Sequence, residues 1–260
     1  MAELLSEWFG TDSILRQSFA AGVDAHTATA MSMTGKCSPQ DVTDDERQLA
    51  KPCNFGLLYR MGDNGFYNYL RANFMPDVTF EVACDLRRQF FAGYPDMARW
   101  QDDYARHTRE QGYTQTVAGR RWRWKWRAQD PEDIDVDAPF YADIISGFRG
   151  AYAVNHPVQG SSAEVMQIAL TRLDQALRSE PIQIIATVHD EAVMLVPGDV
   201  ASVERIGAIA QQEMIGAFLE VFPDAPTVNL VDPKIGPTWG DLQPLLVWLR
   251  SHRASGHCDG

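Results

Sequence analysis

A chain of 260 residues, 45% hydrophobic and 22% charged, is long enough for one large or two small globular domains and is ordinary in composition. Its formal net charge of −12 excludes a protein that holds nucleic acid by bulk electrostatics, although a local basic site is compatible with it. The cysteines, at 37, 53, 84 and 258, show neither paired metal spacing nor secreted-type density, no apolar run reaches the roughly 18 residues of a membrane span, and no signal-peptide pattern opens the chain, so reduced thiols in a cytoplasmic setting are expected.

Residues 4–33 read as helical, with a turn at FGTDS and a second break around AAGVD. Asp24 is placed to cap the helix that carries His26. A lone histidine there fits a packed or surface side chain as well as a ligand. TDDE at 43–46 is a capping box, with Thr43 capping and Glu46 reaching back. The helix it starts should carry Arg47, Lys51, Phe55 and Tyr59 at a constant spacing of four. Steps of four drift by only about 40° around a helix, so the four side chains form one slanting stripe. Arginine and lysine suit phosphate oxygens, and the aromatic faces suit a base or sugar. The stripe therefore fits a ligand with a polyanionic end and a flat end, such as a nucleotide; it also fits an ordinary half-buried surface helix. Pro52 should kink this helix, and MGDNG should end it.

Residues 66–118 read as mostly helical up to Gly112, with a short strand from Tyr113 to Val117. In GRRWRWKWR (119–127), cations including Arg120 and Arg121 alternate with three tryptophans at period two. That pattern suits a strand stacking on single-stranded nucleic acid, or an exposed hairpin whose tryptophans pack on the body. DPEDIDVDAP (130–139) is expected as a solvated acidic loop. A helix near 140–155 should be followed by a separate one beginning at PVQGSSAE. Asn155 and Gln159 flank Pro157, and such carboxamides either bond base edges and sugars in a minor groove or do loop-and-cap work.

IQIIATVHDEAVMLV reads as a hairpin whose apolar runs flank a charged tip, His189-Asp190-Glu191. Adjacent carboxylates repel unless a cation sits there, and Mg²⁺ binds through one or two carboxylates plus substrate phosphates; a solvated turn accounts for the same residues. The strand IQIIATV is apolar on both faces and is expected to be buried on both, with a neighbour on each edge. A long helix follows at about 199–220, and the tail after PTWGD has no assigned role. Helices outnumber strands, so the expected class is α+β and helix-rich.

Together and in this order, DAHTATA, RQLAKPCNFGLLY, FFAGYPDMARWQDDYARHTREQGYTQTVAGRR, NHPVQGSSAEVMQIAL and VHDE resemble the blocks of family A DNA polymerases, the bacterial DNA polymerase I type. The resemblance runs from about residue 4 to PTWGD near 241. It implies a right-hand fold with fingers and a partial palm containing an antiparallel sheet. Residues 1–19 would connect palm to fingers, 20–140 would be fingers, 141–241 the C-terminal part of the palm, and 242–260 a tail of unknown role. It also implies template-directed DNA synthesis, nucleotidyl transfer from a dNTP to a primer 3′-hydroxyl at a two-metal Mg²⁺ site. By position His26, Arg47 and Lys51 would hold the triphosphate, Phe55 would stack near sugar and base, and Tyr59 would sit by the template base. Asn155 and Gln159 would touch the minor groove of the primer–template DNA, with Arg120, Arg121 and His189 also on the DNA side. Asp190 would be a metal ligand with Glu191 beside it, and these two with Lys51 would form the catalytic set. Phenylalanine at 55 matches polymerases that discriminate against dideoxynucleotides.

Departures from the family's pattern accompany the matches. Gln48 stands where an arginine is common, Arg60 replaces a usual glycine, and Ala151 sits where a basic residue often precedes the asparagine by four. The family's DYSQIELR-like strand, whose aspartate is the other metal-binding carboxylate, would lie just before LLSEWFGTDSIL and is not in this sequence. Nor are thumb and proofreading segments. The expectation is the C-terminal chain of a split polymerase, with a partner chain supplying the first catalytic aspartate, the thumb and the template grip. A piece cut from a longer polymerase and a non-catalytic nucleotide- or DNA-binding remnant are the alternatives.

Overall fold

The structure, a computed structural model, describes residues 1–123 and 148–255. The chain divides into two compact units, 1–161 and 162–260.

The first unit opens with three short helices, α1 (Ala2–Phe9), α2 (Ile14–Ala20) and α3 (Ala25–Thr34), broken where the sequence turns. Ser13 caps α2 by accepting from Arg16 N, and Asp24 caps α3 by accepting from His26 N and Thr27 N. A 3₁₀ turn at Pro39–Asp41 leads to α4 (Asp44–Leu57), whose capping box is complete, and whose Glu46 also takes the Lys36 ammonium. The helix continues through a buried Pro52. MGDNG is more than a stop: Gly62 is already the N-cap of α5 (Asp63–Asn73). The turn before it is made by Arg60 at φ 61°, a backbone region that glycine enters at less cost. Then come α6 (Phe80–Gly93) and α7 (Pro95–Gln111), which Gly112 closes at φ 76°. Strands β1 (Tyr113–Gln115) and β2 (Arg121–Arg123) pair antiparallel. Leu57, Phe66, Leu70, Phe90, Tyr94, Met97 and Trp100 are fully buried and form the centre of this unit's core. Each large apolar side chain so buried contributes about 1.5–3 kcal/mol before entropy is charged against it.

The next helix differs from expectation. One element, α8 (Gly150–Ala176), runs through Pro157, where two helices were expected. Proline has no N–H, so the carbonyl of Ala153 loses its helical partner. The buried Thr114 hydroxyl donates to that carbonyl at 3.1 Å, and Tyr104 Oη lies 3.1 Å from the same hydroxyl. The gap in the ladder is thus filled from β1, and the helix continues. Gly160 on the same helix faces the β1–β2 connection, where an added Cβ would stand 2.6 Å from Thr116 Cγ2. The acidic stretch 130–139, the expected helix start near 140 and residues 124–127 of the tryptophan run lie outside the described residues.

In the second unit, β3 (Gln183–Val188) and β4 (Glu191–Leu195) form a hairpin with His189-Asp190 at its tip and a register shift between Ile184 and Ala186. Helix α9 (Val200–Val221) is capped by Asp199, and a second hairpin, β5 (Lys234–Thr238) with β6 (Asp241–Pro244), leads into α10 (Leu245–Ser255). Leu173, Leu177, Ile206 and Ala210 pack with Ile184, Ala192 and Met194, while Val203, Leu245, Trp248 and Leu249 form a second cluster. The described part of the tail is therefore the end of β6 and the helix α10, whose Leu245, Trp248 and Leu249 pack against Val203 of α9. Strand β3 departs from the expectation of burial on both faces: Ile184, Ala186 and Val188 are half-buried, but Ile185 is 52% exposed. The helices cover one face of the hairpin, so only alternate side chains are sheltered. Among the described residues β3 pairs with β4 alone.

Candidate functional site

Helix α4 turns Ala50, Cys53, Asn54 and Leu57 into the protein, an inward face at helical spacing. That leaves the stripe on the open flank: Arg47 and Lys51 are half-buried, Phe55 is 55% exposed, and Tyr59 lies just past the helix end. The N-terminus of α3 meets this flank. Arg47 Nη2 donates to Asp24 Oδ1 at 3.1 Å. Burial tends to raise the Asp24 pKa, but hydrogen bonds from Thr27 and Arg47 outweigh it and hold the carboxyl below its usual range. The His26 ring meets Phe55 edge-on at 5.5 Å, and its Nδ1 lies 3.0 Å from Asn54 Nδ2. Burial lowers the His26 pKa; Asp24 opposes this, while Arg47 and Lys51 reinforce it. Lys51 has no ion-pair partner among the described residues. His26, Arg47, Lys51 and Phe55 thus come together as two cations, an imidazole and an exposed ring. Chemically this offers a phosphate grip beside a stacking surface.

A second group forms a cleft of about 520 Å³ in the same unit. Tyr152, Asn155, His156 and Gln159 follow one another at i, i+3, i+4 and i+7 on α8, and Arg120, Arg121 and Trp122 face them. Trp122 lies 6.3 Å from the Tyr152 ring and 5.8 Å from His156, and the Arg121 guanidinium sits 4.6 Å above the Tyr113 ring. Gln159 Nε2 donates to the Tyr59 hydroxyl, so the last residue of the stripe stands at this cleft. The structure therefore brings Arg120, Arg121, Asn155 and Gln159 together, with Tyr59 at the edge. Tyr152 and His156 were not expected here, because a break at Pro157 hid the single helical face they share with Asn155 and Gln159.

The third group, His189, Asp190 and Glu191, belongs to the second unit and is exposed at the β3–β4 tip, with His189 at φ 55°. No group of three or more His, Cys, Asp or Glu able to hold a metal ion occurs among the described residues. Asp190 and Glu191 offer carboxylate donors of the kind Mg²⁺ takes, but not a full two-metal set.

The sequence pattern of DNA polymerase family A matches residues 5–241. DNA polymerase I of Lactococcus lactis subsp. cremoris is 31% identical over 230 residues, covering 88% of this chain and 24% of that protein. The thermostable DNA polymerase I of Thermus thermophilus is 31% identical over 215 residues, covering 83% of this chain and 23% of that protein. The chain thus spans about a quarter of the length of these relatives. The fold is similar to that of the POL domain of Pol1 from M. smegmatis in complex with DNA primer-template and dNTP, with a TM-score of 0.65 at 23% identity over 83% of this chain and 35% of that one.

Proposed function

The chain belongs to DNA polymerase family A, and from that membership we propose that it supplies the nucleotide grip and one catalytic carboxylate for template-directed DNA synthesis. The observation that carries the reading is the gathering of His26, Arg47, Lys51 and Phe55 on one flank, with Lys51 lacking an ion-pair partner among the described residues. In this reading Arg47 and Lys51 hold the triphosphate of an incoming dNTP, His26 adds a hydrogen bond, and Phe55 packs near sugar and base. Tyr59 stands by the template base. Asn155 and Gln159 touch the minor groove of a primer–template, and Arg120, Arg121 and His189 contact DNA. Residues 20–140 act as fingers and 141–241 as part of a palm.

Asp190 is the residue that would hold Mg²⁺, with Glu191 beside it; the bound ions would neutralise charge on the transferring phosphoryl group. Asp190 alone does not complete a two-metal site. We therefore assign the second carboxylate, with the thumb, to a partner chain. Support comes from β3, which lacks a second strand neighbour among the described residues and leaves Ile185 exposed.

Primer extension tests this directly. The purified chain with Mg²⁺, dNTPs and primed template is expected to extend nothing alone, and to gain synthesis when a chain carrying the missing strand and thumb is added. Robust extension by the chain alone would remove the partner from the reading. Failure to bind dNTP in either state would remove the nucleotide grip.

A further inference from the structure

Three buried polar side chains behind the nucleotide flank have no part in that reading. Tyr94 is 1% exposed, Thr29 0% and Asn54 4%. Tyr94 Oη lies 3.0 Å from Thr29 Oγ1, and Thr29 Oγ1 lies 2.8 Å from Asn54 Oδ1. The Asn54 amide nitrogen lies 3.1 Å from the Ala25 carbonyl and 3.0 Å from His26 Nδ1.

The direction of every bond in this relay is fixed by its ends. A backbone carbonyl only accepts, so Asn54 must turn its NH₂ toward Ala25 and its Oδ1 toward Thr29. Thr29 has one proton, which goes to Asn54, and Tyr94 then donates to Thr29. Burial pushes the Tyr94 pKa up to about 12, so its proton stays in place. The second N–H of Asn54 is left pointing at His26 Nδ1. That nitrogen must present a lone pair, because a protonated Nδ1 would set two donors head to head at 3.0 Å. A neutral imidazole with a bare Nδ1 carries its proton on Nε2.

We propose that Asn54, fixed by Thr29 and Tyr94, is a positioning residue that holds His26 as the neutral tautomer protonated on Nε2. The role of that proton rests on the reading of His26 as a nucleotide contact. His26 then offers a phosphate one uncharged, directed donor, and the charge match is left to Arg47 and Lys51. Asp24 is the carboxylate that favours the charged ring, and the two cations and burial oppose it. A ring with free choice of tautomer would spend part of its population presenting a lone pair to the phosphate, which repels it.

The test is nitrogen NMR of the full chain with ¹⁵N-labelled histidine, the His26 signals being identified by their loss in His26→Gln. The expected result at neutral pH is a pyridine-type Nδ1 and a pyrrole-type Nε2. Asn54→Asp places an acceptor at Nδ1 and should convert His26 to an imidazolium with both nitrogens protonated. Thr29→Val removes the donor that holds Asn54 Oδ1 and leaves only the Ala25 carbonyl to orient the amide, so a minor Nδ1-protonated form should appear, while Thr29→Ser should restore the single form. His107, His156, His189 and His252 report whether each variant keeps its fold. A wild-type His26 protonated on Nδ1, or a folded Asn54→Asp variant with the wild-type pattern, overturns the proposal. Titration with dNTP separates it from the nucleotide reading: the His26 signals should move, and Thr29→Val should bind more weakly in proportion to its Nδ1-protonated fraction. The expected tautomer with signals that dNTP leaves unmoved would uphold the positioning role and overturn the nucleotide reading.

Discussion

At the scale of single residues, the flank of α4 separates groups that hold the protein together from groups left over for a ligand. Arg47 is partly committed to Asp24, whereas Lys51 has no ion-pair partner among the described residues. Lys51→Ala should therefore leave thermal stability nearly unchanged and weaken dNTP binding by about 2–5 kcal/mol, the usual cost of deleting one side of a desolvated charge contact. Equilibrium titration with a fluorescent dNTP would measure it; equal affinity would make the stripe a plain surface. Asp24 has a lowered pKa, so its contribution to stability is present above the unfolded value near 4 and is lost as pH falls through the folded value. It is half-exposed, so the effect is small, and acid titration of an Asp24→Asn variant, which keeps a capping side chain, should show a shallower decline. Cys53 is fully buried, and burial pushes its thiol up to about 12. In the folded chain a thiol reagent should label the exposed Cys37 and spare Cys53 until denaturant is added.

At the scale of elements, α8 depends on a residue that is not part of it. Thr114→Val keeps shape but leaves the Ala153 carbonyl without its hydroxyl donor, while the Tyr104 hydroxyl keeps its bonds to Gln115, and should cost about 1–3 kcal/mol in urea unfolding, with Thr114→Ser close to wild type. Gly160→Ala should likewise destabilise, by about 1–3 kcal/mol, because its methyl would press on the buried Thr116. These bonds mark the boundary of what a linear reading reaches. The Thr43–Glu46 box and the spacing of Arg47, Lys51 and Phe55 were legible because caps and helical periodicity are local. Passage through Pro157 was not, because its remedy comes from Thr114, 39 residues away from Ala153. The Asn54 relay was hidden for the same reason, its partners lying 25 and 65 residues apart along the chain. Leu245, Trp248 and Leu249 carry helical spacing openly, but nothing local says that α9 receives them. Apolar residues on both sides of β3 revealed a strand without revealing how many layers would cover it.

At the scale of the whole molecule, the units hold separate cores, one built around Phe90 and Trp100 and others around Leu173, Ile206 and Trp248. The proposed partner strand belongs to the second. Hydrogen exchange at residues 182–190 should be fast in the isolated chain and slow after the partner is added, while amides around Phe90 keep their protection. Equal protection in both states would place the partner elsewhere. The edge of β3 also has a meaning for the economy of the cell. A strand whose second edge is unpaired among the described residues, and which exposes an isoleucine, is a template for any other strand it meets. Under the proposed pairing, copies made in excess of the partner would be the ones that aggregate or are degraded, and the surviving amount of this chain would follow the supply of its companion rather than its own rate of synthesis.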